Sequence, residues 1–537
     1  MNSRPNNSTT SAAQMLGVAL EHHRAGRLAE AEKIYRQILS AQPKHSDALH
    51  LLGVVLGGMG QPQQAIELIG RAIALRPQVP DYHANLGEFL RHAGQLEPSA
   101  VSFRHAIRMK ADEPGYHNGL GVTLAESRQI EPAIAEFRRA IRLKGDYADA
   151  HSNLGEALRE AGRLDESLAS AQTAIKLQPK MSRAYNHLGL VLYDKGQYPE
   201  AIEAYLTALW LKPDYARAHN NLSQVYLLLG NYQRGWSDFE WRLQVPFIVG
   251  TRRFDAPRWD GSDLAGKTIL VHPEQGFGDM IQFVRFIPEL ASRGAKVILE
   301  TLPELSRLFQ GFGQIVIHGQ PTPAYDVYCS LLSLGSVLGV SAQWIPVPIP
   351  YLKAEPRLAE QWSRRFDSGD HRLRVGLVWG GRGTHANDRN RSINLKQFAP
   401  LASAASAAFY SLQKGPASAE AAEAPPEMQL IDWTRELNDF ADTAALIANL
   451  DLLITVDTAT AHLAGAMGKP VSLLVPLVPD WRWMLDREDS PWYPSMRLFR
   501  QKSPGDWAEA LRRVGEELGE FSRLTPASSV EPRTAAK

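Results

Sequence analysis

Hydrophobic and polar positions follow two different rules along the chain. In the first 240 or so residues small and apolar positions repeat at a fixed interval: Gly53, Gly87, Gly121, Gly155 and Gly189 are 34 apart, as are Ala72, Ala106, Ala140, Ala174 and Ala208. An aromatic recurs with them (Tyr35, Phe103, Phe137, Tyr205, Phe239), and a proline follows the second helix in four of the repeats (Pro43, Pro77, Pro179, Pro213). From Arg252 onward that period is gone, and short apolar runs alternate with amphipathic stretches. Thr268–His272, Lys296–Glu300, Ile315–His318 and Tyr325–Ser330 read as strands of one unit. Arg374–Trp379, Ala408–Leu412, Gln429–Trp433, Leu452–Val456, Val471–Val475 and Met496–Arg500 read as strands of a second. Strand and helix in alternation predict parallel sheets covered on both faces.

The 34-residue unit is a pair of helices. A glycine in the first helix and an alanine in the second let the backbones approach, the aromatic fills the gap between pairs, and proline stops the second helix. In period and in these positions the segment resembles the tetratricopeptide repeat, with about seven copies from Ala12 to Leu243. That resemblance implies an all-α, right-handed solenoid with a concave inner surface, each repeat buried against its neighbours. His83, His117, His151 and His219 share one repeat position, a helix packing site, and are expected to be structural. Asn85, Asn153 and Asn221 recur on the inner face. Their amides either hydrogen-bond an extended peptide backbone or are simply common at this position.

The predicted organisation is a disordered start (1–11), the solenoid (12–245) and an irregular connector (246–266). A first Rossmann-like domain (267–353) and a linker (354–372) follow, then a second Rossmann-like domain (373–521) and a disordered tail (522–537). The Ala/Glu/Pro-rich stretch Lys414–Met428 reads as a mobile surface loop. Composition narrows the function classes. Lysine plus arginine and aspartate plus glutamate both number 58, so no net charge drives the chain toward nucleic acid or anionic membrane. The single Cys329 excludes an internal disulfide and a multi-thiolate metal site. No apolar run is long enough for a membrane span, and Met1–Thr10 is too polar for a secretory signal, so a cytoplasmic location is expected.

Three segments carry candidate chemistry. The first predicted strand of the α/β region runs into Gln275-Gly276-Phe277-Gly278-Asp279, at the carboxyl end of a parallel sheet where ligands bind. It has neither the G-x-G-x-x-G pattern nor a P-loop lysine. Asp279 is either a helix cap or a catalytic carboxylate. The strand Leu452–Val456 delivers Asp457-Thr458-Ala459-Thr460-Ala461-His462 into a helix ended by Gly468. The free amides and positive dipole end of that helix suit a diphosphate, with Thr458 and His462 as further donors. Third, Trp379-Gly380-Gly381-Arg382-Gly383 precedes a basic stretch, His385 to Arg391, in which Arg389 and Arg391 either grip a phosphate or form a solvated loop. Trp481, Arg482, Trp483, Trp492 and Tyr493 read either as a sugar-facing wall or as packing core.

Residues 267–520 are similar to glycosyltransferase family 9, the bacterial heptosyltransferases, whose fold is GT-B: two Rossmann-like domains facing a cleft. The resemblance rests on Gly278-Asp279, which matches the family's first-loop glycine–aspartate, and on Asp457–His462, which matches its donor-diphosphate motif. Ala459 stands where the family has glycine, and Arg391 where it has a lysine. The combination of repeats with such a domain also resembles a broad set of bacterial repeat-containing transferases, with Gly235-Trp236, Glu240-Trp241-Arg242 and Pro479–Trp483 in common. The resemblance implies an inverting, metal-independent transfer from a nucleotide-diphosphate sugar to an acceptor hydroxyl. Asp279 would be the general base, and Arg391, Gln413, Asp457, Thr458, Ala459 and His462 would bind the donor. Gln275, Gly276 and Gly278 would form the substrate loop. No metal or bound cofactor is implied beyond the sugar nucleotide, and the repeats would recruit a protein or peptide partner or the acceptor. Two alternatives stand beside this reading. One is a protein O-glycosyltransferase resembling the O-linked N-acetylglucosamine transferase; the other is a scaffold whose transferase domain has decayed.

Overall fold

The computed structural model describes residues 11–245, 252–341, 343–345, 348–366, 369–383 and 387–524. Two compact units divide at Pro213/Asp214.

Among the described residues the first unit is helical throughout: twelve helices, alternately 13 and 14 residues long, from Ala12–Arg24 to Tyr198–Leu211. Ser11 belongs to the ordered chain, because its hydroxyl caps the first helix by accepting from Gln14 N at 3.2 Å. The repeat glycines mark close approach of side chain to backbone. A β-carbon added at Gly53, Gly87, Gly121 or Gly189 would lie 2.5–2.8 Å from Ile69, Phe103, Phe137 or Tyr205 respectively. At Gly155 nothing is nearer than 3.4 Å, because Ala171 holds the aromatic position of that repeat. The repeat histidines have a structural task. The Nε2–H groups of His83, His117 and His151 donate to the carbonyls of Pro77, Ala111 and Gly145, each six residues back, at 2.9–3.1 Å. Each pins the entry of its helix to the preceding turn.

In the second unit, the helix pair Ala216–Leu228 and Tyr232–Phe239 continues the 34-residue period but packs on the α/β region. Trp236 is buried and its indole N–H donates to the Val340 carbonyl at 2.7 Å. Tyr232 meets Trp481 and Trp492 edge-on or tilted. Two all-parallel sheets follow. The first contains β1 (Thr268–His272), β2 (Lys296–Thr301), β3 (Gln314–Ile317) and β4 (Val327–Ser330), in the order β3-β2-β1-β4. The second contains β5 (Leu373–Val378), β6 (Ala407–Ser411), β7 (Ile431–Asp432), β8 (Leu452–Val456), β9 (Val471–Val475) and β10 (Met496–Arg500). Its order is β10-β9-β8-β5-β6-β7. β8 and β9 are buried at every residue, as strands covered on both faces must be.

Several expectations are corrected. β7 is only two residues long, because Gln429 has φ +46°, a left-handed conformation from which a strand cannot begin. Lys414–Met428 is a pair of short helical turns, Pro416–Glu423 and Pro426–Met428, rather than a free loop. Met428 is buried, Glu420 accepts from Leu395 N at 2.8 Å, and Trp379 Nε1 donates to the Ala417 carbonyl at 3.2 Å. The linker, by contrast, is as expected from its sequence, proline-rich at first and then helical: Pro356–Ser363 is a helix whose Trp362 packs against Trp433. The final helix, Ala508–Leu524, runs past the predicted start of the tail. The disordered-end readings for 1–10 and 525–537, part of the connector (246–251) and His385 lie outside the described residues.

Candidate functional site

Both sheets reverse strand order beside their first strand. In the first sheet β2 and β3 build to one side of β1 and β4 to the other; in the second, β6 and β7 build to one side of β5 and β8 to the other. The crevice at the carboxyl end of such a reversal is where open α/β sheets bind ligands. Pro273–Asp279 leaves β1 at this point. In the second sheet Trp379–Gly381 leaves β5 and Asp457–Thr458 leaves β8.

The β1 loop is held from both ends. The guanidinium of Arg242, fully buried, forks onto Glu274, with Nε to Oε2 at 3.0 Å and Nη2 to Oε1 at 2.7 Å. Burial raises the Glu274 carboxyl and Arg242 pulls it back. Beyond it, Gln275 and Gly276 are exposed, and Gly276 N donates to Asp279 Oδ2 at 2.9 Å. Asp279 therefore does cap the helix Phe277–Phe283, but with one oxygen only. Its Oδ1 accepts from Arg482 Nη2. Arg482 also donates through Nε to Gln282 Oε1 and through Nη1 to both Asp480 oxygens, at 3.0 and 3.1 Å. Burial opposes the charge on Arg482, yet the carboxylates of Asp480 and Asp279 more than offset it and hold the guanidinium protonated.

The helix after the β8 loop, Ala459–Ala466, meets the helix after the β1 loop directly. A β-carbon at Gly278 would lie 2.8 Å from His462 Cδ2 and 3.6 Å from Ala459 Cα, so only glycine allows this approach. Thr458 leads into the helix Ala459–Ala466 without capping it; its hydroxyl lies 3.3 Å from that of Thr455. The first amides of the helix therefore have no side-chain cap from Thr458, the arrangement that suits an anion. His462 is buried, with Nδ1 at 2.9 Å from the Tyr493 hydroxyl and its ring stacked on Trp483. Burial, reinforced by the charges of Arg482, Arg285 and Arg391, keeps its imidazole well below the ordinary histidine range and so neutral. Asp457 Oδ1 stands 3.9 Å from His462 Nε2. Burial and the neighbouring Asp480 push the Asp457 carboxyl up to about 6, against the pull of Arg391.

Arg391 Nη1 donates to the Asp457 carbonyl at 3.0 Å and Nε to Asp388 Oδ1 at 3.3 Å. Gly381 sits against this pair so closely that any side chain there would collide with the Arg391 guanidinium. Gln413 does not face the crevice. Its oxygen accepts from the amides of Trp379 and Gly380 at 2.9 and 2.8 Å, and its nitrogen donates to the carbonyls of Gly380 and Lys414. It braces the glycine turn instead of offering a group to a donor.

Asp279, Gly278, Ala459, His462 and Arg482 thus form one cluster, with Asp457 and Arg391 beside it. Trp481, Trp483, Trp492 and Tyr493 are buried packing, which decides against the sugar-facing wall. A cavity of about 330 Å³ shares none of these residues; it is lined by Arg307, Leu308, Gln310, Lys353, Glu355 and Ala441 among others. Arg242 and Glu274 are not legible in the sequence as site residues, and Arg482, read there as part of a sugar-facing wall or packing core, instead binds Asp279. Their signal was the charged residue inside Asp480–Trp483 and Glu240–Arg242, but a sequence does not say that an arginine is buried. In the solenoid, Asn85 Nδ2 is 2.8 Å from His50 Nε2, and Asn153 Nδ2 donates to Asn118 Oδ1 at 2.9 Å, so both amides are engaged within the array.

Tetratricopeptide-repeat family models match residues 22–88, 118–182 and 189–230. The chain is similar to protein FlbA of Caulobacter vibrioides, at 28% identity over 323 residues, which is 55% of this chain and 54% of the relative. The chain thus spans about half the length of the curated relative it matches. Among solved structures it is similar to TTC0263, a thermophilic TPR protein of Thermus thermophilus, at 22% identity and a TM-score of 0.31, covering 34% of this chain and 99% of that one. It is also similar to YrrB, a TPR protein with an unusual peptide-binding site, at 18% identity and a TM-score of 0.29, covering 34% and 95%. The N-terminal part is therefore built of tetratricopeptide repeats, a fold of protein interaction. No helix among the described residues is long and apolar enough to cross a membrane.

Proposed function

We propose that this chain, in which tetratricopeptide repeats precede a pair of parallel α/β sheets, is an inverting glycosyltransferase of GT-B type using a nucleotide-diphosphate sugar. One observation carries the reading: the helices that follow the switch-point loops of the two sheets meet at Gly278, with a carboxylate on one side and a helix N-terminus that Thr458 does not cap on the other.

In this reading Asp279 takes the proton of the acceptor hydroxyl as that oxygen attacks the anomeric carbon. The bond from that carbon to the diphosphate oxygen breaks, and the leaving group departs with the electron pair. The amides at the start of Ala459–Ala466 and the Arg391 guanidinium receive its charge, so cations of the chain itself stabilise the departing diphosphate. Arg391 in place of a lysine gives a planar fork rather than a point charge. The repeats recruit a protein partner or the acceptor. With the amides of Asn85 and Asn153 engaged, no observation favours a threaded peptide over another acceptor, so protein O-glycosylation remains one acceptor class within the same proposal.

Calorimetric titration of the full chain with ADP-, UDP- and GDP-linked sugars tests the reading. One nucleotide class is expected to bind, and Asp279→Asn is expected to keep that binding while losing turnover. Absence of binding by all three classes would overturn it.

A further inference from the structure

We infer that Arg482 is a positioning residue for Asp279, tying the loop after β9 to the start of the helix after β1 and fixing the orientation of that carboxylate. The inference deepens the proposed transferase reading and rests on it for its functional meaning, while the clamp itself is a statement about geometry.

The arginine is used completely. Its side chain is 8% exposed, its three nitrogens serve three partners, and its guanidinium lies 4.5 Å from the centre of the Trp481 ring. Both oxygens of Asp480 accept from Nη1, and Oδ1 also accepts from Arg482 N at 3.0 Å, so the arginine is anchored on its own loop before it reaches out. Across the gap it takes Asp279 and, one helical turn on, Gln282. The buried Gln282 gives its oxygen to Arg482, and its Nε2 has no hydrogen-bond partner among the described residues. The amide is thus oriented by the arginine at the expense of its own donor, which marks Arg482 as the group that sets the local geometry.

The chemical consequence follows from charge and shape together. Gly276 N holds one oxygen of Asp279 and Arg482 the other, which fixes the plane of the carboxylate and leaves its remaining lone pairs for an acceptor hydroxyl. A lysine would retain the charge but could not serve Asp480, Asp279 and Gln282 at once.

Two measurements on the full chain test this. In a double-mutant cycle followed by urea unfolding, Arg482→Met and Asp279→Asn should each lower the midpoint of the C-terminal transition, and the double variant should fall little further than Arg482→Met alone. Additive losses would overturn the clamp, whatever the chain does to nucleotides. With the sugar nucleotide that the wild type binds, hydrolysis by Arg482→Lys should fall at least tenfold in kcat with KM within about threefold. A loss that falls on KM as much as on kcat would reduce Arg482 to a packing residue. Should the wild type bind no sugar nucleotide, the transferase reading fails while the unfolding cycle still decides the clamp.

Discussion

In the solenoid, side chains find their partners one repeat away; in the α/β unit they find them across most of its length. Tyr82 meets Asp47, Arg91 meets Glu126 and Arg159 meets Asp194, each 35 residues apart. Arg482 meets Asp279 at a separation of 203, and Arg285 donates to the Trp492 carbonyl at 207. The first region is a sum of nearest-neighbour interfaces, so a defect there stays local. The second gathers buried charges from remote loops at one point, where removal of one partner strands another. The difference explains why chemistry is expected in the second region and recruitment in the first.

The sharpest way to break this contrast is Asp279→Asn. Turnover should fall by roughly 10²–10⁴-fold, the range for loss of a general base, with nucleotide affinity retained. A rate assay paired with calorimetry reads both, and unchanged turnover would remove the base. Removing Met1–Pro213 should leave hydrolysis of the donor nearly intact while abolishing capture of the partner; the cut belongs there because Trp236 and Arg242 of the last repeat are built into the α/β unit.

Arg242→Met comes next. It leaves Glu274 buried without its cation, a loss of about 3–5 kcal/mol that should appear as early melting of the C-terminal unit in hydrogen exchange, with the repeats unaffected. Equal protection loss in both units would contradict the local-versus-remote distinction.

The solenoid supplies its own paired test. Gly121→Ala forces a β-carbon to 2.6 Å from Phe137 and should cost about 1–3 kcal/mol. The equivalent Gly155→Ala meets nothing within 3.4 Å and should stabilise by up to about 1 kcal/mol through helix propensity. Denaturant midpoints of the two variants should move in opposite directions.

The smallest effect is a pH dependence. Asp457, raised to about 6, is protonated below that pH and charged above it. Affinity for a nucleoside diphosphate at the adjacent helix should therefore weaken a few-fold as pH rises through about 6, and Asp457→Asn should flatten the curve. The same sign applies to folding. Because the folded state favours the protonated acid, the stability this group contributes is present at low pH and declines as pH rises through about 6. Titration calorimetry from pH 5 to 8 checks the first effect and urea midpoints over the same range the second.

What the sequence alone determined was whatever depends on local period. The 34-residue spacing required helix pairs, since glycine, alanine and aromatic at fixed offsets have one packing solution. Alternating apolar runs required parallel strands, and Gly278-Asp279 and Asp457–His462 fell at strand ends because a strand must exit into a loop there. Tertiary structure alone decided which of these loops meet, that Gln413 turns inward to brace Gly380, and that Arg482 closes onto Asp279. Burial made that last choice: a charge removed from water must find its counter-charge wherever the fold brings one, and chain separation carries no record of it.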